Sequence, residues 1–417
     1  MTEREIDVHV DLDGVAVRAG RLCMRVLRGR ESASFVYDTA WLTHPLRFAL
    51  DPVHLPLSKG QFAAPAGRPL FGGISDSAPD RWGRTLMARK TRLAGERRTL
   101  FEADYLLMVD DTARQGALRF TIDGTGPFLA SGQPHIPPLV RLGELLFASD
   151  RVQDDEGDAD ALRLLLAPGS SLGGARPKAS VLGNDGALSI AKFPARSDEW
   201  PVIVWEAVAS QLARAAGVDV QQTQRVEVQG RAVLVGRRFD RRGERRIPFL
   251  SAMAMIGATD GEDEHSYLEI ADAIRQHGAH VDRDLAELWR RMTFNVLISN
   301  TDDHLRNHGF LRAPDGWRLS PAYDLNPVPI DVKARVHALA LDEQSPVASV
   351  DTLLAVVDYF GLTHARARGI LGEAAAAVSD WRRVAGSLGL TAAQLDRMAS
   401  AFEHADLEAA RRLGTTG

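Results

Sequence analysis

Two carboxylates and one amide stand where they could carry out phosphoryl transfer. Asp302 and Asn307 are five positions apart, just past the apolar run Met292-Thr-Phe-Asn-Val-Leu-Ile298, and Asp324 follows Gly316-Trp-Arg-Leu-Ser-Pro-Ala-Tyr323. A D-x-x-x-x-N offset lets one carboxylate receive the nucleophile's proton while a neutral amide oxygen, a loop's width away, holds Mg²⁺ against phosphates. Asp324 stands where a short β-hairpin would return a second hard, acidic metal ligand to the same place. Each residue also has an ordinary meaning: Thr301-Asp302 as a turn or helix cap, Asn307 as a turn residue, Asp324 as a loop acid.

The elements that must serve this site lie upstream. Pro168-Gly-Ser-Ser-Leu-Gly-Gly-Ala-Arg-Pro-Lys178 is a small-residue loop feeding a strand, Ala179-Ser-Val-Leu182. Asn184-Asp-Gly186 then turns the chain into a second strand, Leu188-Ser-Ile-Ala-Lys192-Phe,. Gly169 and Gly174 have Walker-A spacing, but Ala175 stands where the lysine belongs and G-x-G-x-x-G is absent,. The loop is therefore a phosphate cradle or a surface hairpin. Lys192 is followed by a helix from Val202 to Ala216 that carries Glu206. A strand lysine paired with a helix glutamate would be held for the α and β phosphates; otherwise the two form a surface ion pair or none. Val226 to Val235 reads as another hairpin, ending in Arg237-Arg-Phe-Asp-Arg-Arg242.

The 417 residues are 45% hydrophobic and 25% charged, which is globular and too long for one ordinary core,. A net charge of -5 argues against nucleic-acid binding by this chain alone,. The single cysteine, Cys23, excludes an intramolecular disulfide and a Cys₄ zinc site,. The N-terminus has no signal-peptide pattern and no apolar run approaches a membrane span, so a cytoplasmic protein without membrane association is expected.

From Ile6 to Tyr37 alternating Val8, Val10, Val15, Val17 and Leu22, Met24, Val26 predict an antiparallel hairpin sheet,. Ser77 with Asp80 reads as a capping-box variant opening a helix through Arg89,. A strand is expected over Ala117 to Ile122, a boundary at Gly124 to Pro138, a helix near Leu139 to Ala148, and a solvated acidic loop or helix start over Asp154 to Asp160,. Helices are expected at Tyr267 to His277, Asp282 to Ile298, Val350 to Tyr359, His364 to Ala385 and Ala392 to Arg412, with Gly386 stopping the fourth,. The expected organisation is an N-terminal β-rich subdomain (1–135), a nucleotide-binding part of the N-lobe (136–248), and a helical C-lobe with catalytic loop and metal ligands (249–417). The fold class is α+β: a bilobal, protein-kinase-like fold with an additional N-terminal β-rich subdomain and an all-helical C-terminal lobe, ATP lying between the lobes.

Taken in order, these segments resemble the HipA-type toxin serine/threonine kinases of type II toxin–antitoxin systems. The resemblance is carried by Phe71-Gly-Gly-Ile-Ser-Asp-Ser-Ala-Pro-Asp80, Ser171-Leu-Gly-Gly-Ala-Arg-Pro-Lys178, Ile190-Ala-Lys192, Glu206, Arg238-Phe-Asp-Arg241, Thr301-Asp-Asp-His-Leu-Arg-Asn307 and Tyr323-Asp324. It implies Asp302 as catalytic base, Asn307 and Asp324 as Mg²⁺ ligands, and Lys192 on the nucleotide phosphates with Glu206 behind it. Ser171, Gly173, Gly174 and Lys178 would form the phosphate loop, and Arg238 and Phe239 would lie at the adenine. The resemblance further implies autophosphorylation of Ser171, a small helix-turn-helix antitoxin that tethers the chain to operator DNA, and a protein substrate, with aminoacyl-tRNA synthetases among those of the family. Arg176-Pro177 replaces the family's usual Gln-Glu pair, and Arg237 stands where an acidic residue is common.

Two other function classes compete. A metal-dependent hydrolase would use Asp302, Asp303, His304 and His308, the histidines having the i, i+4 spacing of a zinc helix, although H-E-x-x-H is absent,. A catalytically silent corepressor would keep the fold only to bind its antitoxin.

Overall fold

The computed structural model describes residues 2–122, 124, 127–129, 136–166, 176–259, 261, 265–343, 347 and 349–414. The chain divides into two compact units, one drawn from 1–197 and 226–258, the other from 198–225 and 259–417.

In the first unit the alternating N-terminal residues form β1 (Thr2–Leu12), β2 (Val15–Leu27) and β3 (Arg30–Tyr37), joined by β4 (Gln61–Ala63) and β5 (Leu118–Thr121). The sheet order is β4-β3-β2-β1-β5, with every neighbouring pair antiparallel. Ile6, Val8 and Val10 on one face are fully buried. The β1–β2 turn places Asp13 and Gly14 at φ 54° and 89°, the left-handed pair that a tight hairpin needs,.

A second sheet holds β6 (Lys178–Leu182), β7 (Leu188–Lys192), β8 (Thr223–Val228) and β9 (Arg231–Arg237) in the order β6-β7-β9-β8. The boundary between the units passes through β8. Helices α1 (Arg81–Leu93), α2 (Leu142–Gln153) and α3 (Ala159–Leu166) share a core with this sheet, built around Trp82, Leu86, Leu145, Leu162, Val181 and Phe193. Asp80, not Ser77, caps α1: its Oδ1 accepts from the Gly83 N–H at 2.8 Å, while the Ser77 carbonyl accepts from Arg114. The capping residue is thus the aspartate one position before the helix, which satisfies an N-terminal donor directly.

The second unit is mostly helical: α4 (Val202–Ala215), α5 (Tyr267–His277), α6 (Val281–Leu297), α7 (Val350–Ala355), α8 (His364–Ser379), α9 (Trp381–Ser387), α10 (Ala392–Phe402) and α11 (Ala405–Gly414). One hairpin, β10 (Gly309–Ala313) with β11 (Gly316–Leu319), interrupts the helices. Gly316 is required there, since a Cβ would stand 2.8 Å from both the Ala279 nitrogen and the His277 carbonyl. The two longest expected C-terminal helices are each broken, at Asp380 and around Glu403, with no Gly or Pro to announce it. Packing decides: Trp381, the first residue after the break, stacks on Phe402 at 4.7 Å and lies 6.0 Å from Trp205. Gly386 does not stop its helix, which runs on to Ser387; Gly389, at φ 84°, turns the chain instead,. Among the described residues no helix is long and apolar enough to cross a membrane.

Candidate active site

The candidate catalytic segment begins where α6 ends. Ser299 takes a left-handed φ of 53°, its N–H reaching Val296 O (3.3 Å) and the next N–H, of Asn300, reaching Asn295 O (2.9 Å). These are the two hydrogen bonds of a Schellman cap, here with serine where glycine is usual. The Ser299 hydroxyl donates to Ala401 O at 2.8 Å, tying the cap to α10.

Beyond the cap, two adjacent aspartates part company. Asp303 is 2% exposed, and one of its oxygens, Oδ2, meets Tyr267 OH, Asn295 Nδ2 (2.8 Å) and His308 Nε2 (2.8 Å). Burial opposes ionisation of this carboxyl, but His308 and the hydrogen bonds from His308 and Tyr267 outweigh it and hold the pKa below the ordinary carboxylate value,. Asp302 faces outward, exposed, and its carboxylate has no hydrogen-bond partner among the described residues. A carboxylate presented in this way on an anchored backbone can accept a proton from an approaching hydroxyl.

Asn307, 4% exposed, donates its Nδ2 to the Asp302 carbonyl at 3.2 Å. Its carbonyl oxygen Oδ1 is buried without a hydrogen-bond partner. Fixing the amide by its nitrogen leaves a hard oxygen uncommitted, which is what a Mg²⁺ ligand requires.

Asp324 reaches this neighbourhood as the spacing predicts. The hairpin β10–β11 returns the chain, and Ser320 N–H bonds Gly309 O at 2.8 Å. Tyr323 OH then donates to Arg306 O at 2.7 Å, so the residues immediately before Asp324 and Asn307 are joined directly. Asp324 stands at φ 60°, a sparsely populated conformation for a non-glycine residue, and its Oδ1 accepts from Asn326 Nδ2 at 3.2 Å,. Such strain, of order 1–3 kcal/mol, persists where surroundings enforce it and clusters at functional sites. Asn307 and Asp324 are thus two hard oxygen donors carried on joined segments, the donor type that Mg²⁺ takes,.

His304 and His308 do not form a zinc helix. They flank a short 3-10 turn, Leu305–Asn307, in extended conformations, and His308 Nε2 is committed to Asp303. Among the described residues no group of three or more His, Cys, Asp or Glu side chains could hold a metal ion. The geometry that the hydrolase reading needed is absent there.

In the first unit, Lys178 and Lys192 are direct cross-strand partners in β6 and β7. Opposed residues share a face, and two like charges there are unfavourable unless an anion accompanies them. Asp80 Oδ2 lies 2.8 Å from Lys178 Nζ, both side chains about 4% exposed, and Trp82 Nε1 donates to Lys178 O. Lys192 is partly exposed. Arg238 is buried in a network of its own: its guanidinium meets both oxygens of Asp240 (2.6 and 2.5 Å) and the Ala113 carbonyl (2.9 Å). Burial opposes ionisation of Asp240, but Arg238 and Arg241 hold its carboxyl far below the ordinary range. Its guanidinium is thereby committed within the first unit, while the partly buried Phe239 packs 6.3 Å from Phe249. In the second unit Glu206 is 3% exposed within α4. Ser171, Gly173 and Gly174 lie outside the described residues.

The residues that sequence reasoning missed are Asp303, Tyr267, Asn295, His308 and Asp80. Asp303 and His308 were visible only as parts of a metal cluster. Tyr267 and Asn295 sit in ordinary amphipathic helices whose periodicity says nothing about a buried carboxylate.

The family model of the HipA-like C-terminal domain matches residues 170–381. A candidate kinase of Sinorhizobium fredii (strain NBRC 101917 / NGR234), Y4mE, is 26% identical over 362 residues, covering 78% of this chain and 77% of that protein. Among solved structures, a chain from the complex of the Shewanella oneidensis MR-1 toxin–antitoxin system HipA and HipB with operator DNA superposes with a TM-score of 0.67. It is 16% identical and the match covers 98% of this chain and 96% of that one, so the α+β fold is shared. The proinflammatory kinase CtkA of Helicobacter pylori aligns with a TM-score of 0.40 at 17% identity, over 58% of this chain and 93% of its own.

Proposed function

The chain belongs to the HipA-like family, and from that premise we propose that it is an ATP- and Mg²⁺-dependent serine/threonine protein kinase acting as a growth-inhibiting toxin. The observation that carries this reading is the division of labour in the catalytic loop: an exposed Asp302 beside a buried, triply bonded Asp303, with the Asn307 carbonyl oxygen uncommitted. Asp302 accepts the proton of a substrate hydroxyl as that oxygen bonds to the γ-phosphorus and the bond from phosphorus to the β–γ bridging oxygen breaks, releasing ADP. Asn307 and Asp324 would hold Mg²⁺, which neutralises charge on the phosphates when bound. Asp303 fixes the backbone so that Asp302 keeps its aim. Lys178 and Lys192 provide positive charge on one sheet face for the nucleotide phosphates, Lys178 held in place by Asp80.

The wider biology follows the family. A small helix-turn-helix antitoxin neutralises the kinase and brings it to operator DNA, which agrees with a net charge of -5 on this chain,. Autophosphorylation of Ser171 shuts the enzyme off, because a phosphate adds about -1.5 to -2 charges to a loop that must receive triphosphate. The substrate is a protein, with an aminoacyl-tRNA synthetase the first class to test. Phosphopeptide mass spectrometry after expression of wild type and Asp302→Ala tests the proposal. New phosphoserine or phosphothreonine sites with wild type alone are expected, and identical phosphopeptides in both would overturn kinase activity in favour of a silent corepressor.

A further inference from the structure

The second unit holds a cavity of about 200 Å³ rich in arginine. Arg283, Arg290, Arg291, Arg318 and Arg366 line it, facing the carboxylates of Asp219, Asp284 and Glu287. Two of those acids are already committed. Arg318 engages Asp284 with both Nε (2.8 Å) and Nη2 (3.0 Å), and Arg291 Nε donates to Glu287 at 2.8 Å. Arg290 is likewise used, donating to Ala216 O and Glu373, each at 2.6 Å.

Positive charge is in excess, five arginines against three carboxylates on the lining. Arg291 has a side chain only 2% exposed, with Nη2 donating to Ser320 O at 2.7 Å, yet its Nη1 is buried with no partner. A buried guanidinium N–H left unsatisfied is costly, and native structures rarely tolerate one without a ligand or water. Arg283 is exposed and has no ion-pair partner among the described residues; Arg366 comes no closer than 3.8 Å to Glu373. The only carboxylate of the lining without an arginine on it is Asp219, which is exposed.

We propose that this cavity is a binding site for a phosphate group, with Arg291 as its buried anchor and Arg283 and Arg366 as the mobile arms that close on the anion. Guanidinium forks match tetrahedral oxyanions bidentately and stay charged at any working pH, which suits phosphate better than a monovalent carboxylate. The volume is far more than one water needs, and Leu319 and Ile370 on the lining give an organic substituent somewhere to rest,. The ligand is therefore inorganic phosphate or a small phosphate monoester.

The test is titration of the full-length protein with inorganic phosphate and, separately, with phosphoserine, followed by ³¹P NMR. Saturable binding is expected, with the apparent Kd raised at least tenfold in Arg283→Glu/Arg366→Glu and unchanged in Lys192→Ala. Both reversed arginines are exposed, so an unaltered circular-dichroism melt verifies that the variant folds. Phosphoserine binding at least tenfold tighter than inorganic phosphate assigns the monoester, and equal affinity assigns the free ion. Absence of saturable binding, binding unaffected by the double charge reversal, or binding abolished by Lys192→Ala would overturn the site.

Discussion

In the second unit, Asp303 is closed over by three donors while its neighbour Asp302 is exposed; in the first, Lys178 is closed over by Asp80 while Lys192, directly across the ladder, is partly exposed. Both regions pair an anchored ionic group with a presented one of the same charge. The anchors differ in kind. Asp303 is held by hydrogen bonds gathered from two helices and the loop itself, His308 among the donors, whereas Lys178 pairs with a carboxylate, Asp80, at a helix N-terminus. A buried charge without compensation is among the most expensive defects a fold can carry, so each anchor fixes the backbone on which its neighbour is displayed.

The largest loss of stability is expected at Asp303. Asp303→Ala leaves Tyr267, Asn295 and His308 without their shared acceptor and is expected to cost about 3–5 kcal/mol in urea unfolding. Asp302→Ala, one residue earlier, should stay within about 0.5 kcal/mol of wild type. Equal costs for the two would show that Asp303 is no anchor. Next in size, Lys178→Met strands the Asp80 carboxylate and should cost about 3 kcal/mol, much of it recovered in Lys178→Met/Asp80→Asn, which removes the charge but keeps an acceptor for the α1 cap; failure of the double variant to recover would mean that the pair is not the reason for the loss,.

Burial pushes His337 down to about 4, against the nearby Asp303 charge, and both of its ring nitrogens lack hydrogen-bond partners. Its folded pKa lies below the unfolded value near 6.5, so the unfolded chain takes up the proton first. Stability therefore falls as pH drops from about 6.5 towards 4 and levels off below, with about 2 kcal/mol lost to this group between pH 7 and pH 5. His404, also depressed to about 4 by burial, adds a contribution of the same sign. Replacing His337 by Phe should flatten the unfolding free energy over that range, and an unchanged slope would reject the assignment.

The sequence made the site legible where function demands fixed spacing. The approach of the segments carrying Asn307 and Asp324 could be read because the proposed chemistry needs a base and two oxygen ligands in one place. The β1–β2 hairpin and α5, at Tyr267–His277, could be read from periodicity and turn residues. What could not be read was held together across long separations. Tyr267 and Asp303 are 36 positions apart, and Asp80 and Lys178 meet through packing of α1 against the second sheet, which no local pattern encodes. The end of α6 is legible to within one residue, expected at Ile298 and found at Leu297, but the left-handed cap at Ser299 is not, because a serine carries none of the signal that glycine would. The break at Asp380 is hidden for another reason: stacking of Trp381 on Phe402 overrides a run that is locally good helix,.

The proposed split between proton acceptor and metal ligands rests most directly on parallel measurement of phosphoryl-transfer rate and Mg²⁺-dependent ATP affinity in Asp302→Asn and Asp324→Ala. Asp302→Asn should lower the rate by about 10²–10⁴-fold with ATP affinity largely kept, and Asp324→Ala should abolish Mg²⁺-dependent ATP binding. An Asp302→Asn protein that loses ATP binding yet keeps turnover would contradict the assignment.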